Sequence, residues 1–372
     1  MLKVVTLIGT RPELIKLSRI IAKLDACSDH TLIHTGQNFD YELNQIFFEQ
    51  LEIRSPDRYL DAAGETAAKT IGKVISRVDE ALAEISPDAF LCLGDTNSCL
   101  AVLAAKRRKI PSFHMEAGNR CYDQRVPEEI NRRIVDHTSD VNLTYTEHAR
   151  RALLGEGLRP DLVMKTGSPM AEVIAHYTSG IDRSDVLTQL GLEGKRFVLV
   201  SAHREENVDD PERLLTLISS LGELAEVFDL DIIFSTHPRT RKRLASLVPA
   251  LPERLRFVKP LGFLDYIRLQ REAFCVVSDS GTLTEEASLL KIPAVMIREA
   301  HERPEGMDCG ALIMCSPRSG KLVESVRIVT DQAQRGYRSL VVEDYDVPDV
   351  SDKVVRIIAS YVDYVNRVVW HR

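Results

Sequence analysis

Apolar and polar positions fall into alternating blocks along this chain. Short runs that are apolar throughout (Val4–Ile8, Leu32–His34, Ala89–Leu93, Ile110–Met115, Val141–Leu143) stand between longer stretches with apolar residues three and four apart. The runs predict strands and the stretches predict helices. The clearest helices start at Glu13, span about Glu65–Ile85 and start at Pro127. The pattern resumes at Arg196–Val200, Asp231–Phe234, Leu255–Val258, Phe274–Val277 and Ile292–Ile297. Strands without polar alternation are covered on both faces, so the chain reads as α/β, with parallel sheets between helical layers. Gly167–Lys195 reads as a bridge, with a helix-like piece at Met170–Tyr177, and as a hinge. The tail from Asp349 reads as an amphipathic helix able to pack back. The expected domains are 1–170, with 350–372 returning to it, and 171–349.

One stretch, His114–His137, combines these signals with chemistry. An apolar run ends at Met115 and turns at Ala117-Gly118; a polar loop follows, and a helix restarts at Pro127. Proline suits the first helical position, and Glu128 and Glu129 suit the first turn. Ile130 and Ile134 supply a four-residue apolar spacing for the buried face. Glu116 then ends a strand and Glu128 opens a helix, so one cleft can receive both carboxylates as acid and base. The alternative is that Glu128 and Glu129 pair with Arg132 and Arg133 on a solvated face.

Composition narrows the function. The chain has 372 residues, 44% hydrophobic and 28% charged, as in ordinary globular proteins. A net charge of −7 argues against nucleic acid or an anionic membrane as the main partner. No apolar run reaches membrane-spanning length, and the opening MLKVVTLIGTRPEL reads as a first strand rather than a signal peptide. Seven scattered cysteines without a C-x-x-C pair fit reduced thiols in a cytoplasm.

Open α/β sheets bind ligands at the carboxyl ends of their strands. In the first half those turns hold Gly9-Thr10-Arg11, Gly94-Asp95-Thr96 and His114–Gly118. In the second they hold Ser201–Glu205, Thr236–Arg239, Ser278–Thr282 and Arg298–Pro304. Ser280-Gly281-Thr282 opens a helix, whose free N–H groups make an anion site, and Glu286 one turn on can take both hydroxyls of a ribose. Plain capping by Ser280 is the alternative. Arg11 with Lys16 puts positive charge beside a helix start, fit for a diphosphate. Asp95 can be an N-cap and no more. His203 and His237 each follow a strand and precede an arginine, which points to an anionic ligand. No G-x-G-x-x-G follows any strand, so nothing supports a dinucleotide cofactor. No paired-cysteine or H-E-x-x-H metal pattern occurs, and His114-x-Glu116 alone is only a hint of zinc.

Taken together, GTRPE (Gly9–Glu13) with Lys16, GDT (Gly94–Thr96), MEAG (Met115–Gly118), PEE-x-NR (Pro127–Arg132), SAHREEN (Ser201–Asn207), SDSG-x-x-x-EEA (Ser278–Ala287) and ERPE (Glu302–Glu305) resemble the non-hydrolysing UDP-N-acetylglucosamine 2-epimerases. The resemblance implies a glycosyltransferase-B-like fold: two Rossmann-like domains with a UDP-sugar in the cleft between them, no cofactor, no metal, and usually a homodimer. It implies acid/base roles for Asp95, Glu116 and Glu128, diphosphate-side roles for Arg11, Lys16 and His203, with His203 counted among the catalytic residues, and substrate binding by Arg204. Ser280, Gly281, Thr282 and Glu286 match the nucleotide site, with His237 and Tyr266 near it, and Arg303 matches the arginine of ERPE. Leu261 and Tyr266 stand where the family commonly has Gln and Phe. The loop NRCYDQRV between MEAG and PEE is short. With the closing SYVDYVNRVVW, it makes the chain look more like the branch that forms UDP-N-acetyl-L-fucosamine from UDP-2-acetamido-2,6-dideoxy-L-talose. In that branch an apolar wall at Cys121-Tyr122 would suit the 6-methyl group.

The same fold also serves glycosyltransferases, and a non-catalytic sugar-nucleotide sensor is a third class. Neither needs carboxylates that work at C2, so Asp95, Glu116 and Glu128 favour the epimerase.

Overall fold

The computed structural model describes residues 1–372 apart from 37–40, 237–239, 241–242, 245–246, 248–251, 319 and 338. The chain divides into two compact units, Met1–His176 with Glu343–Arg372, and Tyr177–Val342. These limits differ from the expected 1–170, 350–372 and 171–349 for local reasons. The helix Met170–Asp182 continues through the first boundary. After Val342, Asp344 already belongs to the first unit, accepting from the Glu147 N–H at 2.8 Å and from Lys165 Nζ at 2.7 Å.

The first unit contains strands β1 (Lys3–Ile8), β2 (Asp29–His34), β3 (Arg58–Tyr59), β4 (Ala89–Leu93), β5 (Ser112–Met115), β6 (Val141–Thr144) and β7 (Val163–Lys165). They form a parallel sheet in the order β3-β2-β1-β4-β5-β6-β7. The second unit contains β8 (Phe197–Ser201), β9 (Asp231–Ser235), β10 (Leu255–Val258), β11 (Cys275–Ser278), β12 (Ala294–Ile297) and β13 (Ile313–Cys315). Its parallel order is β10-β9-β8-β11-β12-β13. The short strands β3, β7 and β13 are too brief to mark themselves in the hydrophobic pattern.

Strand β8 shows why the runs are apolar throughout. Val198 and Val200 join a core with the helices Pro211–Phe228 and Lys321–Gln334, while Phe197 and Leu199 join another with Leu269 and Leu283 on the opposite face. Strand β8 therefore buries both of its faces. In the terminal helix Val350–Val368, Val350, Val354, Ile358, Val362 and Val365 are buried. It packs on the helix Arg11–Cys27, with Lys23 Nζ 2.9 Å from Asp352. Among the described residues no helix is long and apolar enough to cross a membrane.

In both sheets the strand order reverses direction between two neighbours, β1 and β4 in one, β8 and β11 in the other. Crevices for ligands open at the carboxyl ends of such neighbours.

Candidate active site

At the first reversal the chain leaves β1 through Gly9 and Thr10 into the helix Arg11–Cys27. Thr10 caps it, and the Glu13 carboxylate reaches back to the Thr10 N–H at 3.1 Å. Glu13 also accepts from the Thr96 hydroxyl at 2.7 Å, which ties this turn to the one after β4. Burial raises the Glu13 pKa to about 7, against the hydrogen bonds from Thr96 and the Gly9 and Thr10 amides. Arg11 lies over the Phe47 ring, 5.9 Å from its centroid. Lys16 lies further along the same helix. It is buried and donates to Glu116 Oε2 at 2.8 Å, with the Tyr145 ring 5.4 Å away.

Glu116 follows β5 with φ of +63°, a backbone region that bulky side chains rarely occupy. Such outliers gather at functional sites because the surrounding structure must hold them. Opposite it, a Cβ on Gly94 would sit 4.0 Å from Glu116 Oε2, so the turn that carries Asp95 lies against this carboxylate. Asp95 Oδ2 accepts from Arg132 Nη2 at 2.6 Å and Nε at 3.1 Å. Its carbonyl accepts from Asn131 at 3.0 Å.

The helix Pro127–Thr138 is the reverse of the expected one. Ile130 and Ile134 are 50% and 39% exposed, while Glu129, Asn131, Arg132, Val135 and Asp136 are buried. The polar residues fill the inner face because the loops they meet are polar. Glu129, rather than Glu128, takes both arginines, Arg132 Nη1 and Arg133 Nε at 3.1 Å each, and it does so inside the unit rather than on a solvated face. Burial opposes the charge on Glu129, yet the Cys121 amide and the nearby Arg132 hold its carboxyl below its ordinary value. Glu128 is partly buried at the helix start. Tyr122 is 74% exposed beneath Arg133, not an inward apolar wall, and Cys121 is tied to Glu129. His114, the zinc hint, spends both ring nitrogens on Asp136 Oδ1 at 2.9 Å and the Gly94 carbonyl at 2.7 Å.

At the second reversal Asp279 organises the turns. It accepts from the His203 and Arg204 amides at 3.0–3.1 Å and from Asn207 Nδ2 at 3.0 Å, and it lies 3.2 Å from His203 Nδ1. Burial works against its charge, but His203 and these donors hold its pKa down to about 2. Arg204 Nε donates to the Asp279 carbonyl at 3.1 Å. The helix Thr282–Leu290 begins beyond Gly281, and the Ser280 and Thr282 hydroxyls are 2.9 Å apart. A Cβ at 281 would meet Glu302 Oε1 at 2.4 Å, so that carboxylate would have to shift. Arg303 is buried against this helix start, donating to the Gly281 carbonyl at 2.8 Å and pairing with Glu285 at 3.3 Å. It therefore shapes the turn. Glu286 is buried and accepts from Gln270 Nε2 at 2.6 Å. Burial, then the neighbouring Glu286, push the Tyr266 hydroxyl above its ordinary pKa; it also bonds Ser201 and Gln270. His237 lies outside the described residues.

The structure thus sets Lys16, Asp95 and Glu116 around neighbouring strand ends in one unit, and His203, Arg204, Ser280, Gly281, Thr282 and Glu286 in the other. Glu13, Glu129, Arg132, His114 and Asp136 were missed. The signal for Glu129, Arg132 and Asp136 was their i, i+3, i+7 spacing along a helix whose isoleucines fall elsewhere.

Residues 22–359 match the family model described as UDP-N-acetylglucosamine 2-epimerase. A solved structure of UDP-N-acetylglucosamine 2-epimerase from Rickettsia bellii is 52% identical, with a TM-score of 0.93 and all of both chains covered. A Methanocaldococcus jannaschii UDP-GlcNAc 2-epimerase, solved with UDP-GlcNAc and UDP, is 31% identical, with a TM-score of 0.89 over 96% of this chain and 100% of that one. A UDP-2,3-diacetamido-2,3-dideoxy-D-glucuronate 2-epimerase from Pseudomonas aeruginosa is 33% identical over 88% of this chain and 92% of its own. With the match spanning both α/β units, the chain belongs to the UDP-N-acetylglucosamine 2-epimerase family and is an isomerase.

Proposed function

We propose that the chain inverts C2 of a UDP-2-acetamido sugar by eliminating UDP and adding it back. The C2 proton is not adjacent to a carbonyl, so a free carbanion there is implausible. A base removes that proton, the C1–O bond to UDP breaks, and a C1=C2 double bond forms. UDP oxygen then returns to C1 while a proton reaches C2 from the other face. Atoms and electrons balance without an oxidant. The sequence needs proton-transfer groups at C2 and charge stabilisation at the departing diphosphate.

One observation carries this reading: Asp95 and Glu116 stand on adjacent strand ends of the first unit, each against a buried cation, Arg132 and Lys16. Asp95, Glu116 and Glu128 take the proton transfers. Lys16 serves Glu116. Arg11, His203 and Arg204 face the diphosphate, Ser280, Gly281 and Thr282 receive phosphate at the helix start, and Glu286 takes the ribose. Tyr266 and His237 complete the nucleotide side, and Arg303 fixes the Gly281 turn.

For the sugar we favour UDP-2-acetamido-2,6-dideoxy-L-talose, giving UDP-N-acetyl-L-fucosamine. The short loop NRCYDQRV and the closing SYVDYVNRVVW support it; Tyr122, exposed as it is, does not. UDP-N-acetylglucosamine, giving UDP-N-acetylmannosamine, is the second reading, favoured by the likeness to the Rickettsia bellii and Methanocaldococcus jannaschii enzymes. The resemblance also supports a cytoplasmic homodimer that supplies a surface polysaccharide. Competition between the two substrates, followed by NMR of the products, tests the choice. A tenfold or greater preference for the talose sugar is expected; preferential formation of UDP-N-acetylmannosamine promotes the second reading.

A further inference from the structure

The geometry points to His114 as a positioning residue: a buried imidazolium that, with Asp136, clasps together the two turns carrying Asp95 and Glu116. This deepens the proposed function and rests on it.

The protonation follows from the partners. A carbonyl oxygen can only accept, so His114 Nε2, 2.7 Å from the Gly94 carbonyl, carries a hydrogen. Asp136 already accepts from the Gly118 amide at 3.2 Å and from Arg120 Nη1 at 2.6 Å, so it is an ionised acceptor towards His114 Nδ1 as well. Both ring nitrogens are therefore donors, and the ring is cationic. His114 and Asp136 are fully buried. Around them charges alternate, from His114 to Asp136 to Arg120 to Glu156, the last pair joined by two contacts of 2.7 Å. A buried charge is tolerated when paired in this way.

The two arms of the clasp reach the carboxylate-bearing turns. Gly94, with φ of +84°, immediately precedes Asp95. Gly118, with φ of +86°, closes the turn that Glu116 opens, and a Cβ there would lie 2.4 Å from the Ala149 carbonyl. Asp136 also sits one helical turn beyond Arg132, the partner of Asp95. His114 and Asp136 are both fully buried, so the residue acts through the turns it joins. A neutral ring can donate at one end only, which would release either Gly94 or Asp136. Displacing a reacting group by about 1 Å can cost on the order of 10²-fold in rate.

The test compares His114→Asn, which retains a donor near Asp136, with His114→Gln, which retains one near the Gly94 carbonyl, and with His114→Phe, which retains neither. UDP-N-acetylglucosamine and UDP-2-acetamido-2,6-dideoxy-L-talose serve as probes in heavy water. For the Asn and Gln variants, turnover should fall roughly 10- to 100-fold while KM and UDP affinity stay within about threefold. His114→Phe should fall further if it folds. In a Glu116→Gln background, His114→Gln should cost much less than it does alone, because both act on one unit. Folded Asn and Gln variants that exchange the C2 proton at the wild-type rate would overturn the positioning role. So would losses that appear equally in KM and UDP affinity. Wild-type protein that exchanges nothing with either sugar is a different result, and it would overturn the functional reading itself.

Discussion

Lys16 donates to Glu116 at 2.8 Å across a hundred residues of sequence, and both side chains are nearly withdrawn from solvent. One leaves β1 and the other leaves β5, so the contact spans the central strand β4 and its Gly94-Asp95 turn.

Removing the cation should be costly. Lys16→Met leaves the Glu116 carboxylate without its ammonium and should destabilise the protein by about 3–5 kcal/mol, the range for breaking a buried pair. Adding Glu116→Gln should return part of that loss. Chemical denaturation of the two single variants and the double variant checks it; losses that simply add would mean the pair is not coupled.

Glu286→Ala should weaken UDP binding by about 1.5–3 kcal/mol, the range for a hydrogen bond to a charged group, or about 10- to 160-fold. Calorimetry on the folded variant measures this directly. Unchanged affinity would remove Glu286 from the nucleotide site.

Gly281→Ala should destabilise the second unit by about 1–3 kcal/mol, as overpacking does. The new methyl would press on Glu302 Oε1, so the carboxylate must shift against the 2.7 Å bond that Arg298 makes to its other oxygen. Thermal melting with and without UDP would show both the lower stability and a smaller shift on binding.

His114 makes stability depend on pH. Burial opposes its charge, but Asp136 outweighs burial and raises its pKa from 6.5 to about 9. A group raised in the folded state adds stability that is complete below pH 6.5 and is lost as pH rises through about 9. The contribution is on the order of 3 kcal/mol. Wild type should lose stability across that window, whereas His114→Gln should be flatter. Parallel curves for the two would contradict a buried imidazolium.

The hydrophobic pattern showed the α/β character well, because β1, β4, β8 and β11 are covered on both faces and leave few polar positions. The glycine turns after them marked the strand ends where Asp95, Glu116 and Gly281 stand. Periodicity failed at Pro127–Thr138. There Ile130 and Ile134 face outward, and a polar inner face meets polar loops, a tertiary demand that a sequence window does not contain. The Lys16–Glu116 pair was hidden for the same reason: the helix carries Lys16, but only the sheet order brings Glu116 to meet it. The buried links from Glu13 to Thr96 and from His114 to Gly94 join residues far apart in the chain, and no local spacing announces them.

Glu116→Gln and Asp95→Asn should each retain UDP binding and lose about 10²–10⁴-fold in turnover, as general acid–base groups do. Glu128→Gln should behave alike. Calorimetry beside steady-state rates separates binding from chemistry; near-normal C2 exchange in a variant would make that residue structural only.

The most direct measurement is deuterium at C2. The protein, incubated in heavy water with UDP-2-acetamido-2,6-dideoxy-L-talose or UDP-N-acetylglucosamine and no acceptor, should place deuterium at C2 of both the product and recovered substrate, with UDP-sugar preserved. Inversion without label, or transfer of the sugar only when an acceptor is added, would contradict proton removal and return at C2.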